Sequence, residues 1–558
     1  MSAGYMIALP DVRSDRRRTA VMRTTDTSTL DDTNRTETTS GDSIIQDLEI
    51  AITAGEAYPK LEQAFLNAKQ EISCSFRVFD FCTRLRSEDA RKIGETWFDL
   101  MEHTLDRGIK VRLVISDFDP VAAPNLHQNT WRTCRQVAAL QELSDSAHNL
   151  TYIGALHNAA IGPFPRLLFA PLVRRKLSEI RQLWNNMTHP QRSRFRDETP
   201  RLRDIIHPEK DGELRMFPRR VTLVPATHHQ KIAVFDRRYV SIGGLDVNER
   251  RYDTRSHDRA AERTWHDVQA FATGPIAETV ARHLDTFLDN VAGETSPKPR
   301  ADNFLRTISK VRLRNLWRVA PETLVDELCQ QHLDNIAKAE NFIYLETQFL
   351  RHVPIARALA RRAGECPSLR ILLVLPAAPE DVAFSGNWGL DARYGEALQT
   401  RCVSILSRGF GRHRMAIASP VQPRPDHEDH DGRATLRQAP LIYVHSKVSI
   451  FDDTRGIVSS GNLNGRSMKW DTEAGLHLTD PDQVAHLRSR VMGHWLPKDL
   501  ANRDRFFDTK QGFESWKTLI EGNSNLPPKS RRGFLVSYDS DAARDAAVTV
   551  PGLPEEAV

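Results

Sequence analysis

From residue 58 to 119 the apolar positions switch between two periods. "YPKLEQAFLNAKQ" spaces them three and four apart, as a helix with one buried face requires. "EISCSFRVFDF" and "IKVRLVISDFD" instead gather β-branched and aromatic residues into short runs that read as strands. This alternation predicts a layered α/β fold. After "AGETSPKPRAD" (292–302), a Pro/Gly/charged linker, the succession returns: "LDNIAKAENFIYLETQFL" is helix then strand, and "SLRILLVLP" is a further strand. A doubled unit of this size implies two similar halves, 46–291 and 303–500, facing each other. Residues 1–45, rich in Thr, Ser, Asp and Arg, bury too little apolar surface to offset chain entropy and are expected to be a disordered tail. Residues 501–558 lose periodicity, and a partly disordered extension is expected there.

Composition narrows the field only a little. A chain of 558 residues that is 40 % hydrophobic and 27 % charged has room for more than one core. Its formal charge of +4 is too small to imply nucleic acid. The six cysteines lie far apart with no CxxC pair, which suits reduced thiols better than a disulfide framework or zinc. No apolar run approaches the ~20 residues that span a bilayer, so membrane contact is expected to be peripheral. The N-terminus lacks the apolar core and cleavage site of a secretory signal. The expected location is therefore cytoplasmic or peripheral to a membrane, with export by a signal-free route as the alternative.

The chemistry lies in "THHQKIAVFD" (227–236) and, 216 residues later, "YVHSKVSIFD" (443–452). Set His229 against His445 and the partners fall in register: Lys231 and Lys447 at +2, Asp236 and Asp452 at +7, Gly244 and Ser460 at +15, Asp246 and Asn462 at +17. A later acid follows in each half, Asp267 in "TWHDVQ" and Glu473 in "WDTEAG". Side chains alternate along a strand, so a spacing of two puts each histidine and its lysine on one face. Two such faces meeting about a pseudo-twofold axis bring two imidazoles and two ammonium groups to one cleft. Lysines and small Gly/Ser/Asn positions suit a phosphate without any metal or other cofactor. One imidazole can attack phosphorus while the other protonates the leaving oxygen, and Asp267 and Glu473 would fix the ring tautomers. Asp236 and Asp452, at the far end of each strand, suit a hydrogen-bonding role at the turn better than chemistry.

The doubled HxKxxxxD resembles the motif of the phospholipase D superfamily. "HHQKIAVFD", "GGLD", "RRYDTRSH" and "TWHDVQAFATGP", with "IYLETQFL", "YVHSKVSIFDD" and "GNLNGRSMKWDTEAG", are similar to its eukaryotic-type phosphatidylcholine-hydrolysing branch over roughly 55–500. Thr347 and Ser459 depart from that branch, which carries asparagine and glycine there. The resemblance implies two α/β/α sandwich halves in one chain, a monomeric enzyme and a phospholipid substrate met at a membrane surface. It implies His229 as nucleophile, His445 as acid, and Lys231, Lys447 and Asn462 as phosphate ligands; the residues alone leave open which histidine attacks. A phosphatidyltransferase or a nuclease would use the same site, and a scaffold without turnover is the non-enzymatic alternative.

Three other stretches carry candidate roles. Arg251 and His257, in "RRYDTRSH", could line a headgroup pocket, or pack within an ordinary loop. From Arg166 to Arg220 there are fourteen Arg/Lys to seven Asp/Glu at helical spacing, the pattern of a lipid-facing surface or of ordinary charged helix faces. "DHEDHD" (426–431) reads as a solvated insertion rather than a metal site.

Overall fold

The computed structural model describes residues 43–558, except 210–212, 313–316, 318, 385–388, 427–432, 498, 550–554 and 558. The expected N-terminal tail up to residue 42, and 427–431 of the acidic-histidine run, lie outside these residues. The first half contributes β1 (Gln46–Ile52), β2 (Glu71–Phe76), β3 (Lys110–Asp117), β4 (Leu150–Leu156), β5 (Ile232–Phe235), β6 (Tyr239–Gly243) and β7 (Val268–Thr273). They form one sheet in the order β1-β7-β6-β5-β2-β3-β4. The second half contributes β8 (Phe304–Lys310), β9 (Glu322–Asp326), β10 (Phe342–Thr347), β11 (Arg370–Val374), β12 (Met415–Pro420), β13 (Lys447–Phe451), β14 (Arg455–Ser459), β15 (Glu473–Leu478) and β16 (Leu535–Ser537). Their order is β9-β8-β15-β14-β13-β10-β11-β12-β16. Remove the two edge strands β9 and β16, and the second order repeats the first strand for strand. The same neighbours run parallel in each: β2 with β3 and β3 with β4, β10 with β11 and β11 with β12. The fold is thus two like α/β/α halves.

Alternation along the strands sorts the layers. In β5, Ile232 and Val234 enter a core shared by both sheets, while Ala233 and Phe235 enter the outer layer of the first half. The shared core is filled by two helices. Pro275–Ala292 starts with proline in its first turn and stops at Gly293, which takes the left-handed φ of 78° that a side chain resists. It buries Ile276, Val280, Leu284, Phe287 and Val291, opposite Leu487 and Val491 of helix Pro481–His494. Each such side chain contributes roughly 1.5–3 kcal/mol on burial. Outer helices, among them Thr53–Asn67 and Val353–Glu365, cover the far faces.

One expectation gains detail and another needs correction. Residues 501–558 carry ordered elements. Helix Gly512–Asn525 buries Phe513, Trp516 and Ile520, and β16 pairs antiparallel with β12, closing that sheet edge. Phe513, Trp516 and Ile520 stand three and four apart, so the helix does carry a period in the sequence, whereas β16, three residues long, is too short to show one. Second, His229 and Lys231 precede β5 rather than lying in it, and His445 precedes β13. The halves also differ in one large respect: β4 and β5 are joined by 157–231, which carries helices Ala170–Asn185 and His189–Glu198 over a small core of their own. All six cysteines are unpaired. Among the described residues no helix is long and apolar enough to cross a membrane.

Candidate active site

The segments ahead of β5 and β13 leave their own sheets because each pairs with the other half. His228 forms a parallel bridge with Thr472, and His229 donates its backbone N–H to Thr472 O at 2.9 Å. In the matching place Val444 bridges His266, and His445 N–H donates to His266 O at 2.8 Å. These crossings carry each histidine to the acid of the opposite half. His229 Nδ1 meets Glu473 Oε1 at 2.9 Å, and His445 Nδ1 meets Asp267 Oδ2 at 2.6 Å. A carboxylate acceptor makes Nδ1 the protonated nitrogen and leaves the lone pair on Nε2. Both rings and both acids are buried.

The lysines complete the cluster. Lys231 Nζ donates to His229 O at 2.5 Å, and Lys447 Nζ donates to His445 O. Burial pushes both ammonium groups down, Lys447 to about 7, against the pull of Asp246 and Glu473 on Lys231 and of Asp267 on Lys447. Burial also holds both imidazoles well below their usual value, and the neighbouring lysine of each pushes the same way. The electrostatics cross the halves: Lys447 acts on His229, while Lys231 and His229 act on His445. Burial raises Asp267 and Glu473, opposed chiefly by Lys447 and Lys231 respectively. Burial thus favours the neutral form of the rings and of the lysines alike, and an incoming anion would favour the ammonium groups again.

The remaining candidates sort by what they touch. Ser460 Oγ donates to Glu473 Oε2 at 2.5 Å, so it steadies the acid. A Cβ on Gly244 would fall 2.0 Å from Asp267 Oδ1; glycine there makes room for the acid. Both positions back the carboxylates. Asp246 Oδ1 accepts the backbone N–H groups of Arg77 and Val78, both at 2.9 Å, so its carboxylate is engaged in holding the end of β2. Asn462, its counterpart, donates to Gln348 Oε1 at 3.1 Å and keeps Oδ1 without a partner. Arg251 lies over the Trp265 ring at 3.7 Å, and that ring lies 4.6 Å from His445.

Asp236 and Asp452 stand at the opposite strand ends from the histidines. Asp236 caps the backbone N–H groups of Lys69, Gln70 and Glu71 at 2.7, 2.7 and 2.9 Å. Asp452 caps Glu340, Asn341 and Phe342 at 2.9, 2.8 and 2.9 Å. Their place in the motif is architectural. His257 is buried: Nδ1 meets Asp253 Oδ2 at 2.7 Å and Nε2 meets His494 Nε2 at 3.0 Å. His257, His266 and His494 place nitrogens within 4.8 Å of one another, so these residue types and spacing could hold a metal. Of these nitrogens His266 Nε2 meets Glu346 at 2.9 Å and His257 Nδ1 meets Asp253, whereas His257 Nε2 and His494 Nε2 face each other and His266 Nδ1 has no partner.

Sequence reasoning missed Glu346 and Arg77. Glu346 accepts from Ser446 Oγ at 2.5 Å and from Trp495 Nε1 at 2.7 Å, anchoring the residue between His445 and Lys447. The guanidinium of Arg77 is close enough to lower His229. "IYLETQFL" signalled the first; a lone arginine after β2 carries no signal. A groove of about 900 Å³ between Asp80, Arg132 and Glu198 contains neither histidine, so chemistry rather than cavity size marks the site.

No protein-family model matches the chain. Phospholipase D alpha 1 of Oryza sativa subsp. japonica is 25 % identical over a 458-residue alignment covering 59 % of this chain and 56 % of that protein. Phospholipase D2 of Bos taurus is 25 % identical over 261 residues, covering 38 % and 27 %. Phospholipase D alpha 1 of Arabidopsis thaliana is 22 % identical over 375 residues, covering 47 % and 46 %. The chain spans about half the length, or less, of these curated relatives. Among solved structures, phosphatidylserine synthase of Haemophilus influenzae Rd KW20 matches with a TM-score of 0.48 and 13 % identity over 80 % of this chain and 85 % of that one.

Proposed function

This chain is a member of the phospholipase D superfamily, and from that premise we propose that it hydrolyses the distal phosphodiester of a glycerophospholipid, phosphatidylcholine first among them. The products are phosphatidate and the free headgroup alcohol. The observation that carries the reading is the crossed pair, His229 on Glu473 and His445 on Asp267, with a lysine beside each ring.

In this reading His229 Nε2 attacks phosphorus, a P–N bond forms, and the P–O bond to the headgroup breaks. His445 Nε2–H gives its proton to the leaving oxygen. Water then enters, His445 takes its proton, the new P–O bond forms and the P–N bond breaks, restoring both rings. Burial keeps both imidazoles neutral in the free site, so the bound phosphodiester anion supplies the charge that favours protonated His445. Lys231, Lys447 and Asn462 take the non-bridging oxygens. Glu473 and Asp267 hold the tautomers and offset positive charge on the rings. One chain completes the site, so a monomer at a lipid surface is the working unit.

The test is incubation with phosphatidylcholine, EDTA and ethanol, followed by mass analysis and a non-acidic quench to trap phosphohistidine. Free choline with phosphatidate, and phosphatidylethanol as a side product, is the expected result. No headgroup release, or strict dependence on added metal, refutes it. Products formed only with a lipid or serine acceptor would identify a phosphatidyltransferase instead.

A further inference from the structure

The insertion between β4 and β5 carries a surface that its own core does not use. Helix Ala170–Asn185 buries Val173, Leu177, Ile180 and Trp184 against Phe195, Leu202 and Leu214. Its amphipathic pattern is therefore already satisfied. Yet Phe164, Leu167, Leu168 and Leu172 are 40, 72, 78 and 45 % exposed. Single exposed leucines need no explanation, but four large apolar side chains so close together do. Trp317, from the second half, is 68 % exposed and stacks on Phe164 with centroids 4.5 Å apart, so the patch spans both halves.

The patch follows closely in the chain on residues that neighbour the segment ahead of β5. β4 runs into His157, whose ring is 5.2 Å from that of His228, next to the candidate nucleophile. Phe164 follows seven residues later, and Trp317 follows β8, whose Ser309 reaches His157 Nε2 at 3.4 Å. The surrounding charge is one-sided: Arg166 to Arg181 holds five Arg/Lys and one Glu. Glu179 pairs with Arg175 and Lys176 at 3.2 and 3.1 Å. Apolar tips ringed by cations are the chemistry of a helix that settles into the headgroup region of an anionic bilayer.

We propose that residues 164–172, with Trp317, form the surface by which this protein docks on anionic lipid bilayers, Leu167 and Leu168 entering the headgroup–acyl boundary while the arginines meet lipid phosphates. The proposal rests on the lipid substrate proposed above and adds the surface that meets the bilayer.

Sedimentation with phosphatidylcholine vesicles doped with phosphatidylglycerol tests it. The unaltered protein is expected to sediment, less so as salt rises, and Leu167→Glu combined with Leu168→Glu to lower the partition coefficient at least tenfold. Leu143→Glu is the control: that side chain is 65 % exposed at the end of helix Pro124–Leu143, ahead of β4 and so at its opposite end. It should sediment like the unaltered protein. Circular dichroism and thermal melting check that each variant is folded. Equal sedimentation of the double variant, or no sedimentation of the unaltered protein, overturns the proposal. So does light scattering that shows the patch joining two copies of the chain, with vesicle binding unchanged in the variant. Turnover of a monomeric short-chain phosphatidylcholine by the unaltered protein separates the two readings. Vesicle binding without that turnover sinks the enzymatic proposal and leaves docking standing; turnover without vesicle binding does the reverse.

Discussion

Glu473→Gln changes one charge and almost no volume at the contact that joins the halves. Glu473 is fully buried, accepting from His229 Nδ1 at 2.9 Å and from Ser460 Oγ at 2.5 Å. Glutamine can keep both contacts, so the fold is expected to survive, but the negative charge facing the ring and Lys231 is gone. A hydrogen bond to a charged partner is worth about 1.5–3 kcal/mol, which alone predicts a loss of about 10- to 150-fold at ~1.4 kcal/mol per decade. Freeing the tautomer adds to this, since replacing the equivalent acid of a serine-protease triad by its amide costs about 10⁴. The expected fall in kcat therefore lies between about 10² and 10⁴, with KM little changed because Glu473 is not assigned a substrate contact. Rapid-quench measurement of phosphohistidine reads the rate, and ¹⁵N histidine spectra read the wiring. His229 should lose its Nδ1–H preference while His445, held by Asp267, keeps its own. A shift at His445 with His229 unmoved, or a fall in kcat of less than about threefold, would refute the crossed arrangement.

Further expectations follow from other contacts. Gly244→Ala should displace Asp267, 2.0 Å from the new Cβ, costing about 1–3 kcal/mol and lowering kcat. Gly364→Ala, with nothing within 4 Å, should leave activity intact in the same assay and melt no lower. Asp452→Ala orphans three N–H groups and should cost about 2–4 kcal/mol in urea unfolding; Asp236→Ala, whose partners are more exposed, should cost less, and neither should alter kcat in the folded fraction. Lys447 is cationic below its free-site value of about 7, so kcat/KM should fall as pH rises through that value, by up to about tenfold per unit; a flat profile from pH 6 to 9 contradicts its role. His332 and His352 sit at about 4 when folded and about 6.5 unfolded. The unfolded chain binds the extra protons, so urea stability should be full above about pH 6.5 and fall toward pH 4, by up to about 1.4 kcal/mol per unit for each ring.

Much of this protein is visible in one dimension because strand alternation and helix periodicity are local properties. The duplicated grammar of 46–291 and 303–500, and the matched His/Lys/Asp spacings, follow from chain order alone. The architectural place of Asp236 and Asp452 does too, since seven residues carry the chain to the far end of a strand. Other features depend on which surfaces meet. The sequence places Glu473 after His445, yet folding gives it to His229, because the segments ahead of β5 and β13 each pair with the opposite half. His257 shares a loop motif with Arg251, but its ring turns inward to Asp253 and His494 while Arg251 stays beside Trp265. The C-terminal strand is too short to show a period, and only the open edge of β12 defines its role. Spacing along the chain thus determined which groups exist in pairs. Packing of one half on the other decided which imidazole faces which carboxylate, because those contacts join residues with no local relation in sequence.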